Sequence, residues 1–179
     1  MNLDFNSSRL KYRSFLNTDL EDMYELDSDP DVHIYLGNNP VTTKKQSEDI
    51  IANIQQQYID NNIGRCAIIL KETGEFIGWS GLKLEGTLRP EFKYYDIGYR
   101  LKKKFWGNGY ATEAAMASLK YGFQEMKLDQ ICGAADVNNL ASNHILAKIG
   151  MTKKEPFVFQ GVTCNWYEVT REEWKELQS

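Results

Sequence analysis

A chain of 179 residues is long enough for one domain with a full core, and no composition shift marks a second, so a single domain over residues 1–179 is expected. The formal net charge of −4 argues against nucleic acid and for a neutral or cationic partner, and no stretch approaches the ~20 apolar residues of a membrane span. Met1-Asn2-Leu3-Asp4-Phe5 carries neither basic residues nor an apolar run, so a cytoplasmic protein without a membrane partner is expected. Cys66, Cys132 and Cys164 are odd in number, widely spaced and set in apolar, strand-like contexts. They read as free buried thiols, and with only His33 and His144 beside them no metal site is expected.

Residues 8–16 alternate as a strand, and Thr18 and Glu21 are spaced as a capping box that opens a short helix with Leu20, Met23 and Tyr24 inward. That helix should stop near Asp29-Pro30. The apolar segment from Asp31 to Pro40 reads equally as a lid or substrate wall and as filler for the core edge. Within it His33 reads as a surface or packing residue rather than a base. Thr43 and Gln46 form a second capping box, opening a helix with Ser47, Ile50, Ile51, Ile54 and Tyr58 on one face. Cys66 to Leu70 is apolar on both faces, as a central strand would be, and Glu72-Thr73-Gly74-Glu75 turns it into a second strand, Phe76 to Leu82. After a connection from Glu85 to Lys93, alternation resumes from Tyr94 to Leu101.

The next residues, Trp106-Gly107-Asn108-Gly109-Tyr110-Ala111-Thr112, stand between that strand and a helical pattern in which Ala111, Ala115, Leu119 and Phe123 recur. A helix N-terminus leaves backbone N–H groups without partners and carries partial positive charge, so a glycine turn there either simply turns the chain or binds an anion such as a phosphorylated cofactor. The Walker loop is absent, and the dinucleotide fingerprint lacks its third glycine, where Thr112 sits. Three antiparallel strands ahead of the turn also argue against a dinucleotide domain, which would begin with its fingerprint. The helix should run to about Met126, with Ala111, Ala114, Ala115 and Gly122 as a small-residue face. A strand at Gln130 to Ala135, a helix capped by Asn139 and stopped at Gly150, two strands around Gln160-Gly161 and a last helix capped by Thr170 and Glu173 complete the chain.

Two of these stretches carry a resemblance. Trp106 to Ala111 is similar to the Q/R-x-x-G-x-G/A turn of the GNAT superfamily of N-acetyltransferases, with tryptophan in place of the first residue. The following Tyr-Ala-Thr-Glu-Ala resembles the branch of RimJ/RimL-like ribosomal-protein acetyltransferases. The segment Asn139 to Met151 resembles the N-x-x-S/A…K-x-G-F element after the fifth strand of that superfamily, with Met151 replacing the aromatic. The resemblance implies an α/β GNAT (acyl-CoA N-acyltransferase) fold: a mixed, mostly antiparallel sheet flanked by helices and splayed between the superfamily's fourth and fifth strands. It implies acetyl-CoA as co-substrate, bound at the turn that Trp106 opens, with pyrophosphate on the amides of Gly107, Asn108, Gly109, Tyr110 and Ala111 and the Thr112 hydroxyl added, and with backbone near Tyr99 and Leu101 pairing the pantetheine arm. Asn139 would orient CoA or cap its helix.

Many superfamily members place a tyrosine seven residues after that asparagine to protonate the leaving thiolate; here the position is Leu146. Ser142 is the expected replacement, or else a second capping hydroxyl. Asp96 is the first candidate for the base that frees the amine and Glu91 the second. Lys102-Lys103-Lys104 reads as an attractor for anionic CoA or as a solvated strand end, and Trp79 as pocket floor or core. The expected activity is direct acetyl transfer to a primary amine: a peptide N-terminus, a polyamine, an amino acid or an aminoglycoside. Two other classes stay open at this point, a catalytically silent acyl-CoA sensor and an NAD-binding domain. The apolar C-terminal hairpin offers an edge for a homodimer.

Overall fold

Capping and turn chemistry set the element boundaries in the computed structural model, which describes residues 4–178. Of the expected strand over 8–16 only β2 (Leu10–Arg13) forms; a short strand the sequence reading missed, β1 (Asp4–Asn6), precedes it, and the two are joined by a turn that the Ser7 amide closes on the Leu10 carbonyl at 2.9 Å. Alternation stops at Arg13 because Asp19, buried in a short 3-10 turn, accepts both Arg13 guanidinium nitrogens at 2.7 Å and the Leu16 amide at 2.9 Å. Helix α1 (Leu20–Ser28) therefore starts behind Asp19, and the Thr18/Glu21 box does not form. Met23 and Leu26 face inward as the period requires, whereas Tyr24 stays half-buried. The segment expected as an irregular loop opens with one helical turn, α2 (Pro30–His33), because Asp29 accepts the Asp31 amide at 2.9 Å and Pro30 is preset for a first turn. Thr43 and Gln46 cap α3 (Lys44–Asn61) as expected, with Ser47, Ile51, Ile54 and Tyr58 buried.

The remaining elements are β3 (Arg65–Leu70), β4 (Phe76–Glu85), β5 (Tyr94–Leu101), α4 (Tyr110–Gln124), β6 (Gln130–Asp136), α5 (Leu140–Lys148), β7 (Thr152–Lys153), β8 (Phe157–Phe159), β9 (Val162–Thr170) and α6 (Arg171–Gln178). Among the described residues the strands form one sheet in the order β1-β2-β3-β4-β5-β6-β9-β7, with β8 beside β9. Every pairing is antiparallel but one. Strands β5 and β6 run parallel and are in register at Asp96 and Cys132, while β4 holds β5 from Glu85↔Tyr94 through Gly78↔Leu101 and β9 holds β6 along its length. Beyond Asp96 the two central strands follow their outer neighbours rather than each other, and the sheet opens toward their C-terminal ends.

One core cluster packs α1 and α3 through Met23, Leu26, Ile51, Ile54 and Tyr58 against Ile68, Ile77 and Leu101. A second packs α4 and α5 through Ala115, Leu119, Phe123 and Leu146 against Leu82, Ile97, Ile131 and Val169. The small face read from the sequence brings α4 close to the sheet: a Cβ on Gly122 would stand 2.6 Å from Leu82 Cδ1 and 2.8 Å from Ile131 Cδ1. Among the described residues no helix is long and apolar enough to cross a membrane.

Charges tie α1 and α2 to the end of β5. Arg100 donates to Asp27 at 2.5 Å, Lys102 to Asp22 and Glu25 at 2.7 Å each, and Lys103 pairs with Asp31. His33 is buried beside this ladder, its Nε2 3.8 Å from Asp27 Oδ1. Burial, reinforced by the Arg100 cation and opposed by Asp27, pushes its pKa below the ordinary histidine value.

Two outcomes follow from this packing. Leu119 is fully buried, so Leu119→Ala should cost about 2–5 kcal/mol in denaturant unfolding, the range for a leucine cavity that does not collapse. Because native His33 resists protonation, the unfolded chain binds the extra proton as pH falls through the ordinary value of about 6.5, and stability is lost below it. Urea midpoints at pH 7.5 and 5.5 should differ less in His33→Gln than in the parent; an equal difference would count against the assignment.

Candidate active site

Strand β5 ends with the Lys102 amide bonded to the Ile77 carbonyl at 2.9 Å, and a 3-10 turn over Lys103–Phe105 leads to the glycine turn. Trp106 folds back over it, donating its indole N–H to the Leu101 carbonyl at 2.9 Å, so the residue that departs from the superfamily pattern braces the turn against the strand. Gly107 and Gly109 both have φ +78°, a conformation that disfavours side chains. A Cβ on Gly107 would meet nothing within 4 Å, so it is backbone conformation, not crowding, that calls for glycine, and the space in front is open. The first ladder bond of α4 runs from the Glu113 amide to the Gly109 carbonyl at 3.1 Å. The amides of Tyr110, Ala111 and Thr112 stand ahead of it, at the positive end of a fifteen-residue helix. These residues fit a diphosphate.

The preceding lysines are each held by carboxylates. Lys102 is only 4% exposed and held by two carboxylates, Lys103 is held by Asp31, and Lys104 by Glu75. Their charge fastens α1, α2 and the β3–β4 hairpin around the end of β5.

Where β5 and β6 part, two hydroxyls meet. The Tyr99 hydroxyl lies 3.0 Å from Ser142 Oγ and donates to the Ser142 carbonyl at 3.2 Å, bridging β5 to the first turn of α5. Burial pushes the phenol above its ordinary value, so it stays protonated. Asn139 caps α5, its Oδ1 accepting the Ser142 amide at 3.0 Å, and thereby fixes where the Ser142 hydroxyl stands. Leu146, at the position of the superfamily tyrosine, is core.

Asp96 lies at the closed end of the opening. By strand alternation its side chain emerges on the sheet face opposite Tyr99, the face shared with Trp79 and Arg100. It is 7% exposed and paired with Arg65, whose guanidinium also donates to the Asp96 carbonyl at 2.8 Å and lies over Gly98. Burial pushes the Asp96 carboxyl up, with Arg65 and Lys83 pulling it down. Trp79 lies beside two guanidinium groups, with Arg65 Cζ 5.4 Å and Arg100 Cζ 5.1 Å from its ring centroid. Glu91 is exposed on the β4–β5 connection, 3.8 Å from Arg89. Of the thiols, Cys66 and Cys132 are buried and pushed up to about 12, while Cys164, expected buried as well, is only half-buried.

The chain thus places Tyr99, Leu101 and Trp106 to Thr112 along one run from the opening to the turn, with Ser142 and Asn139 across from it. Sequence reasoning passed over Arg65, whose position opening an apolar strand was its one signal. It also missed Asn143, which accepts from Asn165 at 2.6 Å and Tyr167 at 2.9 Å and locks α5 onto β9.

A family profile described as an acetyltransferase (GNAT) domain matches residues 9–152. An uncharacterized N-acetyltransferase, p20, from Bacillus licheniformis is 30% identical over 148 residues, covering 83% of this chain and 82% of its own. A GNAT-family acetyltransferase structure from Bacillus anthracis superposes with a TM-score of 0.81 at 28% identity, over 95% of this chain and 99% of its own. RimL, a ribosomal-protein acetyltransferase solved with coenzyme A, shares the fold at 15% identity and a TM-score of 0.75, over 92% and 95% of the two chains. With a mixed sheet opened at its one parallel pair and a glycine turn at the mouth, the chain belongs to the GNAT family of N-acetyltransferases.

Proposed function

We propose that acetyl-CoA lies along the free edge of β5 and that its acetyl group passes directly to a primary amine in a ternary complex. The observation that carries this reading is continuity: the edge left unpaired beyond Asp96 leads straight into the exposed glycine turn at the N-terminus of α4. Backbone amides of Gly107, Asn108, Gly109, Tyr110 and Ala111, with the Thr112 hydroxyl, receive the pyrophosphate. Backbone at Tyr99 and Leu101 pairs with the pantetheine arm as an added strand. An N–H from the same edge stabilises the charge that grows on the thioester oxygen.

The amine approaches from the opposite face, past Asp96 and the Arg65–Trp79–Arg100 cluster. It arrives as an ammonium ion and gives a proton, through water, to Asp96. The amine nitrogen then bonds to the acetyl carbon, the carbon–sulfur bond breaks, and the departing thiolate regains a proton by way of Ser142. Asn139 acts by positioning Ser142. Holding the reactants in line supplies much of the rate, for which effective molarities of ~10⁵ M or more are known. The RimJ/RimL-like wording of the Tyr110-Ala111-Thr112-Glu113-Ala114 motif makes a peptide N-terminus the first acceptor to try, with polyamines, amino acids and aminoglycosides next.

Calorimetric titration with acetyl-CoA, followed by a thiol-release screen over these amines, tests the reading; binding without release to any amine would point to a sensor. Gly109→Asp places a carboxylate against the pyrophosphate and should abolish binding, and unchanged affinity would remove the turn from the site. Ser142→Ala should lower turnover more than it weakens acetyl-CoA binding. Asp96→Asn should lower the rate most at low pH, where the amine is protonated; a pH–rate profile of unchanged shape would exclude Asp96 as the base.

A further inference from the structure

The side chains of the glycine turn, Trp106 to Thr112, include no cation, and the lysines before it are bound to carboxylates. An acidic side chain, Glu113, stands in the first turn of α4, where it would repel a diphosphate. A residue from the far end of the sequence answers that charge. Arg9, in the turn between β1 and β2, donates its Nε to Glu113 Oε2 at 2.6 Å and its backbone amide to Oε1 at 2.7 Å, and Ser7 Oγ donates to Oε1 at 2.7 Å. The same guanidinium donates to the Asn108 carbonyl at 3.0 Å, its Cζ stands 4.4 Å from the Tyr110 ring centroid, and Nη2 is 3.5 Å from where a Cβ on Gly109 would be. One cation therefore touches the glycine turn at Asn108, Gly109 and Tyr110 while pairing the carboxylate behind it.

We infer that Arg9 is a positioning residue of the acetyl-CoA site: it cancels the charge of Glu113 and fixes the Asn108–Gly109 peptide so that the turn accepts a diphosphate. This rests on the reading of the turn as the acetyl-CoA site. Glu113 stays ionised in this setting: burial alone would push its carboxyl up, but the bonds from Arg9 and Ser7 outweigh that and hold it below the ordinary glutamate range. A charge that never neutralises near an anion site needs a permanent counter-charge, and guanidinium provides one while its fork serves two acceptors. Helix α4 benefits as well, since a carboxylate in a first turn is favourable to the helix by itself. Glu113 alone favours the helix and opposes the ligand; Arg9 with Glu113 favours both.

The test is calorimetric affinity for acetyl-CoA in the parent, Arg9→Gln, Glu113→Gln and the double variant, with thermal melts alongside. Arg9→Gln should weaken binding about tenfold, as an uncompensated charge at short range in a partly exposed site implies. The KM for acetyl-CoA should rise by a larger factor than kcat falls. Glu113→Gln should bind at least as tightly as the parent, and adding it to Arg9→Gln should restore most of the lost affinity. A mere packing latch would behave in the opposite way, each change weakening binding and the double variant weakest, and that result would overturn the inference. Equal affinity in Arg9→Gln and the parent would overturn it too, while leaving the glycine turn in place. Failure of the parent itself to bind acetyl-CoA would instead overturn the site reading beneath it. Should Arg9→Gln not fold, Glu113→Gln decides alone: weaker binding than the parent sinks the proposal.

Discussion

One parallel pairing in an otherwise antiparallel sheet sets the geometry of the rest. Strands β5 and β6 meet at Asp96 and Cys132 and are each committed along their length to an antiparallel neighbour on the outer side. Backbone groups left unpaired inside a sheet are costly unless something else satisfies them, so the opening is a place where an extended ligand can bind as a strand would. The turn, the Tyr99–Ser142 bridge and the Arg65–Asp96 pair all lie around that opening. Alternation along β5 then divides the chemistry, sending Tyr99 toward α5 and Arg100 toward α1, with Asp96 on the same face as Arg100 and paired with Arg65.

The basic residues at the end of β5 are mechanical as much as electrostatic. Four of the five residues from Arg100 to Lys104 are cations, and Arg100, Lys102, Lys103 and Lys104 are each matched by acids on α1, α2 or the β3–β4 hairpin. Exposed pairs such as Lys103–Asp31 contribute little individually, but Lys102, held by Asp22 and Glu25, and Asp27, held by Arg100, are buried, and these pairings specify where α1 sits. Helices α1 and α2 thereby become a fixed wall on the face from which the amine would come. The apolar segment after Asp29 divides between the two readings: Val32 is buried in the core, as filler would be, whereas Ile34, Tyr35 and Leu36 are exposed.

Sequence alone determined what depends on short-range chemistry. The capping box at Thr43 and Gln46, the small face of α4, the Asn139 cap and the glycine turn are each written in adjacent residues and appear where their period or spacing puts them. Where a distant partner competes with local preference, the reading failed: Asp19 is drawn to Arg13, which displaces the Thr18 box and cuts short the first strand. The tertiary structure decided everything that joins remote segments. Arg9 reaches Glu113, Lys102 reaches Glu25, Arg65 reaches Asp96 and Tyr99 reaches Ser142 across separations that no local pattern encodes. A charge run reads the same whether it faces solvent or carboxylates, because its energy depends on what the fold brings opposite it.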